Sequence, residues 1–409
     1  VWRVKVDGTD VTDSVIANLS ITSGRTNIYT QAQAGYCSIT LIIFDQVSLP
    51  YEINDSISIE VKDTAGVYVP IFGGSVVDIS VSVSQVGSSA YTQEVTIIAL
   101  GALARLQKAL TDGVLTQDFD GNQIATILHE ILFAQWQQVP AALTWATYDP
   151  TTTWATAENS GYGEIDTPGN YELAQRASSR TVVYDLVAAL ATSGLGYLYE
   201  DAQGLISYAD STHRTTYLST YGYTDLTANQ ALGRGITIKT RAGDVRNDIT
   251  LKYGTASANE VSATDTASID TYGDLAQIIT TTVKHAADAT SQASFYLTLR
   301  ANPQANFESI TYALTNPDLD DGDRDSLINV FMGQPVSISN LPSNMNAGQF
   351  LGFIEGWRFQ ASYNELSVTL LLSPVAFSLQ AMYWSQVSVS ETWATILPTL
   401  DWEHALVVA

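Results

Sequence analysis

Runs of alternating apolar and polar residues dominate the first hundred residues of the chain. Such alternation buries one side of a segment and exposes the other, which is typical of strands packed on a core. Turn-forming pairs lie between or beside these runs, at Asp7-Gly8, Asn54-Asp55 and Gly73-Gly74. The pattern predicts an antiparallel barrel or sandwich. Its predicted buried sets are Trp2, Val4 and Val6, then Ile57, Ile59 and Val61, then Val77, Ile79, Val81 and Val83.

Helical spacing replaces alternation after Leu100. We expect either Asp120 or Asn122 to cap a helix that carries one apolar stripe. A second helix is predicted from about Thr181 to Thr192, with Ser193-Gly194 as its end. The runs GYLYED and LISYAD then predict a hairpin, so this part is a small α+β module. The stripe of the first helix consists of Ile124, Ile127, Leu128, Ile131, Leu132 and Trp136.

Strand patterns resume from Gly235 and continue to the sequence NELSVTLLL. One helix interrupts them, predicted for ADATSQASFYLTLRA. The Ser/Thr/Asp-rich stretch Thr255–Thr271 is expected to be an excursion over the surface. The segment is therefore a second β domain with an inserted helix. Its predicted strands are ITIKT, NDITLKYG, QIITTTV, NFESITYAL, QPVSISN, QFLGFIEGWRFQ and NELSVTLLL.

The length of 409 residues predicts more than one domain, because single cores stop growing at about 250–300 residues. The predicted class is mainly β with an α+β insertion, built from two antiparallel β-barrels and a small helical module. We divide the chain into an N-terminal barrel (1–105), a middle module (106–234), a second barrel with an inserted helix (235–376) and a C-terminal arm (377–409).

The charge balance argues against nucleic-acid binding. The chain has 42 acidic residues against 18 Lys and Arg, a formal charge of −24, whereas affinity for phosphate comes from basic side chains. Two interpretations of the acidity stay open. An acidic wall would let DNA pass through a conduit without holding it, or the charge serves solubility alone.

The single cysteine, Cys37, excludes intramolecular disulfides and is interpreted as a small buried hydrophobe in a strand. No stretch of 18 apolar residues occurs, and the first residues are strand-patterned instead of forming a basic-then-apolar leader. We therefore expect a soluble protein made in the cytosol, without a membrane anchor.

Candidate chemistry is sparse. The acidic run from Asp318 to Asp325 fails the test for a calcium loop, because Ser326 and Met332 stand where Gly and Glu are required, and we interpret it as a solvated turn. Phosphate-binding, nucleophile-elbow and zinc-protease motifs are missing, and four histidines are scattered along the chain. The sequence therefore predicts no enzyme activity, no cofactor and no metal.

Three tryptophans mark the C-terminal arm at intervals of nine residues: Trp384, Trp393 and Trp402. Aromatic anchors in a polar tail commonly dock on a partner or back on the parent chain. Both interpretations stay open, and the three residues are our candidate partner contacts.

Several segments along the chain form a recognisable set. They are ITSGR, AGYCSITLIIFD, ALGALARLQKALTDG, DFDGNQIATILHEIL, SIDTYGD and the tryptophan-bearing terminus. Together they resemble the minor tail protein, a baseplate or tail-tip hub, of long-tailed actinobacterial phages. The resemblance spans most of the chain but lies in strand, turn and packing signatures. It gives Gly24-Arg25, Gly35 and Gly101 structural roles only.

The resemblance implies two tail-tube-like barrels per chain and three copies in a pseudo-sixfold ring. Such a ring joins the sixfold tail tube to threefold distal parts and lets DNA through, and it places the protein at the tip of the virion tail. The implied partners are a distal tail or tail-tube protein, the tape measure protein, and a spike or fibre protein.

Two other functions compete with this interpretation. A receptor- or glycan-binding tail protein would use Trp145, Trp154 and the Tyr-rich loops as stacking platforms. A glycan hydrolase rests only on the abundance of carboxylates, since 42 acids always provide some pair at a workable separation.

Overall fold

The computed structural model describes residues 2–28, 30–43, 49–83, 93–129, 165–232, 238–240, 242–303, 305–307, 309–341, 348–362, 365–374, 380–381 and 406–407. Statements about structure below refer to these residues. The mainly-β class with an α+β insertion is confirmed.

The N-terminal block forms seven strands that pair antiparallel in the order β2-β1-β5-β6-β7-β4-β3. The predicted alternation is confirmed in β1 and β5, where Val4, Ile57 and Ile59 are buried. Cys37 is buried in β4, as expected for a small hydrophobe. The strands are β1 (Trp2–Val6), β2 (Thr9–Asp10), β3 (Val15–Gly24), β4 (Tyr36–Ile43), β5 (Ser56–Lys62), β6 (Tyr68–Val83) and β7 (Gln93–Leu100).

The described residues of the middle of the chain form short strands and four α-helices. The helices are α1 (Leu103–Leu106), α2 (Asp120–His129), α3 (Val183–Ser193) and α4 (His213–Tyr221). The strands are β8 (Leu110–Thr111), β9 (Asp118–Phe119), β10 (Glu172–Leu173), β11 (Thr181–Val182), β12 (Tyr197–Glu200), β13 (Ile206–Ala209) and β14 (Thr224–Thr227).

Helix α2 packs on α3 through the predicted stripe, of which Ile124, Ile127 and Leu128 are buried. Its remaining members, Ile131, Leu132 and Trp136, lie outside the described residues. Helix α3 ends at Gly194, as predicted, and β12 pairs antiparallel with β13 to form the predicted hairpin.

Eleven strands and three α-helices are described in the C-terminal part. The helices are α5 (Thr266–Tyr272), α6 (Ala286–Arg300) and α7 (Asp321–Ile328). The strands are β15 (Ile238–Thr240), β16 (Asp248–Tyr253), β17 (Asn259–Thr264), β18 (Ala276–Thr280), β19 (Ala305–Phe307), β20 (Ser309–Ala313), β21 (Pro335–Ser339), β22 (Phe350–Ser362), β23 (Glu365–Pro374), β24 (Gln380–Ala381) and β25 (Leu406–Val407).

One sheet of twelve strands joins the two β blocks. Strand β22 pairs antiparallel with β3 from Gly356 opposite Gly24 to Ala361 opposite Leu19, and it pairs with β21 and β23 as well. Strand β14 adds parallel to β21, and β20 adds to β23. The expectation of separate barrels needs correction on this point. In the part of the chain that the structure describes, the blocks share one sheet and no closed barrel is detected.

A smaller sheet stands apart with its own core. Strands β17, β16 and β18 lie side by side, with β17 antiparallel and β18 parallel to β16. Helix α6 covers one face, where Ile249, Leu251, Ile279, Ala289 and Ala293 are buried together. The stretch Thr255–Thr271 is mostly exposed, as expected for an excursion over the surface, but it is regular structure, because β17 and α5 occupy most of it. The Asp265 carboxylate caps α5 by accepting a hydrogen bond from the Ser268 amide at 3.0 Å.

Candidate interaction site

A buried carboxylate, Glu355 of β22, joins three parts of the fold. It accepts hydrogen bonds from Arg25 Nε at 2.6 Å, from Arg214 of α4 at 2.9 and 3.0 Å, and from Ser373 Oγ of β23 at 2.5 Å. Its side chain is 1% exposed. Burial raises the pKa of Glu355, but the two guanidinium groups outweigh it and hold the pKa at about 2. The cluster therefore stays ionised and fastens β3, α4 and β22 together.

Glu200 at the end of β12 is a second buried carboxylate, and it has no basic partner among the described residues. It accepts hydrogen bonds from the backbone amides of Gly35 at 2.7 Å and Leu103 at 2.5 Å. A Cβ on Gly101 would lie 2.5 Å from Glu200 Cδ. The glycines at 35 and 101 thus leave room for the carboxylate, which agrees with purely structural roles. Burial raises the pKa of Glu200 to about 7.

This buried acid predicts a pH-dependent stability. Because the folded pKa of about 7 lies above the ordinary value of 4.5, the folded chain binds more protons than the unfolded chain between these values. Stability therefore falls as pH rises through that window, by about 3 kcal/mol in total. We expect Glu200→Gln to remove this slope while costing some stability at pH 5, since one amide donor then faces an NH₂ group.

Urea unfolding curves at pH 5, 6, 7 and 8 check the prediction. The buried carboxyl of Asp120, whose folded pKa is about 6, contributes a slope of the same sign that fades above pH 6, so most of the change between pH 6 and 8 belongs to Glu200. Equal slopes in the wild-type and Glu200→Gln chains above pH 6 would contradict the assignment.

Asp120 was predicted as a possible N-cap, the residue just before a helix. It is instead the first residue of α2, and its side chain is buried. Its carboxylate accepts hydrogen bonds from the Tyr208 hydroxyl and from the Tyr171 amide, the latter at 2.8 Å. Asn122 lies within the helix and donates to Asp118 at 2.9 Å. Burial raises the pKa of Asp120 to about 6. Both hydrogen bonds to the carboxylate come from groups of the chain itself. The bond from Tyr208 ties α2 to the β12–β13 hairpin.

Two of the histidines in the described ranges lie beside carboxylates. His213 Nδ1 lies 3.0 Å from Asp166, and His285 Nε2 lies 2.5 Å from Glu172, at separate places. In the described ranges, no group of three His, Cys, Asp or Glu side chains is placed to hold a metal. No helix within them is long and apolar enough to span a membrane.

Asp318 lies in a turn, as predicted, but Asp321, Asp323 and Asp325 belong to helix α7, so the predicted solvated turn needs correction for that part of the run. Asp320 caps α7 by accepting from the Asp323 amide at 2.8 Å. Asp325 accepts from the Thr64 amide at 2.9 Å and from its hydroxyl at 2.6 Å. The sequence analysis did not predict this capping role. An acidic side chain that accepts from the amide three residues later satisfies a free N–H group at the start of a helix.

An open strand edge is the strongest candidate for an interaction site. The pairing of β5 with β6 ends at Ser56 opposite Ser75. The last backbone hydrogen bonds on this side of β6 are made at Val76. Beyond them, residues 77–83 of β6 pair with β7 alone among the described strands. We call these seven residues the β6 edge. Unpaired backbone groups of this kind are a template for another strand.

The β6 edge is also unexpectedly apolar at the surface. The sequence predicts Val77, Ile79, Val81 and Val83 as one buried face, but a bulge between Val76 and Asp78 shifts the register. Val77 is 38% exposed and Val81 is 48% exposed, so the prediction is wrong for these two residues. Val81 lies opposite the buried Val95 and thus points to the core face, which remains uncovered there.

A pocket of about 270 Å³ opens just before the first residue of β5, beside the β6 edge. Arg105 and Lys108 supply its charge, and Arg105 donates to Asn54 at 2.8 Å. Neither cation has an ion pair within the described residues. The residues that line the pocket include these two cations and no acidic side chain. We call it the basic pocket; its lining is Asn54, Ser75, Val77, Leu100, Gly101, Ala104, Arg105, Lys108 and Ala109.

The candidate contacts Trp384, Trp393 and Trp402 lie outside the described residues, as do Trp145 and Trp154. Their roles stay predictions. The structure instead brings forward Glu355, Glu200 and the β6 edge, which sequence reasoning did not single out. A signal existed for the edge alone: the apolar face of β6, formed by Val77, Ile79, Val81 and Val83, continues past the end of its pairing with β5.

The architecture just described is the fold of certain tail proteins of known structure. The 43 kDa tail protein of prophage MuSo2 from Shewanella oneidensis aligns with a TM-score of 0.54 at 13% identity, over 92% of this chain and 99% of that one. The tail protein from Neisseria meningitidis MC58 aligns with a TM-score of 0.55 at 12% identity, over 92% and 97%. Neither a protein-family model nor a curated protein matches the chain.

Proposed function

We propose that this chain is a non-enzymatic structural subunit of a phage tail, located at the tail tip. The observation that carries the proposal is the shared fold, which extends over more than nine-tenths of this chain and of two proteins described as tail proteins. Because both lengths agree, the likeness concerns the whole architecture and not a common motif.

We further propose that three copies form a ring, a baseplate hub that joins a sixfold tail tube to threefold distal parts. The open β6 edge supports this proposal, because closed cyclic symmetry covers edges that a single chain leaves exposed. The division into two β domains, a middle module and a C-terminal arm, at 105, 234 and 376, is part of the same proposal.

The proposed partners are a distal tail or tail-tube protein, the tape measure protein, and a spike or fibre protein. DNA would pass through the ring without specific binding. The charge of −24 supports this, since an acidic wall repels the phosphate backbone. The C-terminal tryptophans Trp384, Trp393 and Trp402 are proposed to anchor the contact with a partner.

The alternative of receptor or glycan binding depends on Trp145 and Trp154 and gains no support from the described residues. We therefore keep the structural role as the proposal.

Light scattering coupled to size-exclusion chromatography tests the proposal. We expect a mass of three times 44.2 kDa for the purified chain at micromolar concentration. A mass of one chain up to the highest soluble concentration would contradict it.

A further inference from the structure

The chain carries a second open strand edge, on the smaller sheet. Strand β18 pairs with β16 on one side and with no other described strand. Ile278 in the middle of β18 is 65% exposed, which is high for an apolar strand residue. We call residues Ala276–Thr280 the β18 edge. Like the β6 edge, it combines unpaired backbone with an uncovered apolar side chain.

The two edges are complementary in charge. The segment just before β18 is acidic, with Asp270 and Asp274 exposed on either side of Tyr272, which is 39% exposed. Neither aspartate has an ion pair among the described residues. The basic pocket at the start of the β6 edge presents Arg105 and Lys108, also without ion pairs. Opposite charges beside two apolar edges favour their association.

The spacing within the edges fixes how they meet. On the β6 edge, Val77 lines the basic pocket and Val81 follows four residues later. On the second edge, Asp274 is followed four residues later by Ile278. Four residues of extended chain span about 13 Å, and Asp274 lies two residues before β18 begins. Placing Asp274 at the pocket therefore brings Ile278 beside Val81, with the two strands parallel.

We propose that the β6 edge of one copy pairs in parallel with the β18 edge of the next copy, with the acidic segment before β18 seated at the basic pocket. The proposal rests on the ring proposed above and names its contact. Because the two edges are different surfaces of one chain, the contact is head-to-tail, the kind that closes into a ring.

Disulfide trapping in the full chain tests the contact. Val81→Cys combined with Ile278→Cys is expected to give covalent dimers and trimers under mild oxidation, because paired strands bring the two Cα atoms within bridging distance. Each single variant should give no such ladder. The matched control is Val77→Cys with Ile278→Cys, whose cysteines lie about 13 Å apart in the proposed register. Cys37 is buried and its thiol pKa is raised by burial, so it leaves the background quiet.

A charge swap gives an independent readout. Lys108→Glu should weaken self-association about tenfold, and adding Asp274→Lys to the same chain should restore it. Both residues are exposed, so neither change should lower the unfolding midpoint.

The outcomes separate this contact from the proposed function. Trimers by light scattering without a Val81–Ile278 ladder would overturn the contact and leave the ring standing. Single chains by light scattering would overturn both. Trapping of the Val81→Cys chain by a different tail protein, and never by a second copy, would also overturn the contact.

Discussion

Replacing Glu355 with glutamine is expected to lower the free energy of unfolding by about 3–5 kcal/mol, the cost of breaking a buried ion pair from one side. The variant leaves Arg25 and Arg214 buried without the carboxylate that both of them bind. Because the cluster joins β3, α4 and β22, the loss should loosen the junction between the N-terminal and C-terminal strands. Urea unfolding followed by circular dichroism measures it.

The matched control is Glu60→Gln, which removes the partner of Arg3 and Lys5 on the outer face of β1 and β5. Both of these ion pairs are partly exposed, so their loss should lower the free energy of unfolding by about 1 kcal/mol or less. The dependence of stability on pH provides a second check. The pKa of Glu355 is about 2, below its ordinary 4.5, so its contribution is full above pH 4.5 and is lost as pH falls through 2. Equal effects of the two variants at pH 7 would contradict the role given to Glu355.

Gly24→Ala is expected to destabilise the chain by about 2–5 kcal/mol, the sum of left-handed strain and overpacking. Gly24 has a φ of +84°, and a Cβ there would lie 2.5 Å from Gly356 Cα and against the Glu355 carbonyl oxygen. The two backbones approach this closely because β3 and β22 pair at Gly24 and Gly356. An added methyl group would push the strands apart at the seam of the large sheet.

The Gly66→Ala variant separates left-handed strain from overpacking. Gly66 has the same φ of +84°, but a Cβ there meets nothing within 4 Å. Its replacement should cost only the left-handed strain, about 1–2 kcal/mol. Thermal unfolding of both variants checks the prediction. A Gly66→Ala effect as large as that of Gly24→Ala would show that conformation alone, and not the strand contact, explains the requirement for glycine.

Local patterns in the sequence predicted most of the elements. The alternation in β1 and β5, the stripe of α2, the β12–β13 hairpin and the helix α6 all depend on neighbouring residues, whose periodicity is visible directly. The joining of two β blocks into one sheet was not predictable in this way. The pairing of β3 with β22 links residues more than 300 positions apart, and nothing local distinguishes it from closure of each block on itself.

The candidate site was predicted less well than the fold. The apolar face of β6 was visible, but its exposure depends on where β5 ends and on a bulge near Val77. Glu200 and Glu355 look like ordinary surface acids in the sequence, and only the fold buries them. A functional site is to be expected where a face that the sequence predicts to be buried is exposed in the structure.

Negative-stain class averages of the purified chain test the proposed ring, because they show symmetry and an open centre at once. We expect threefold or pseudo-sixfold rings with a central channel, which the Lys108→Glu chain forms only weakly. Compact single chains without rings, at concentrations where light scattering is also recorded, would contradict it.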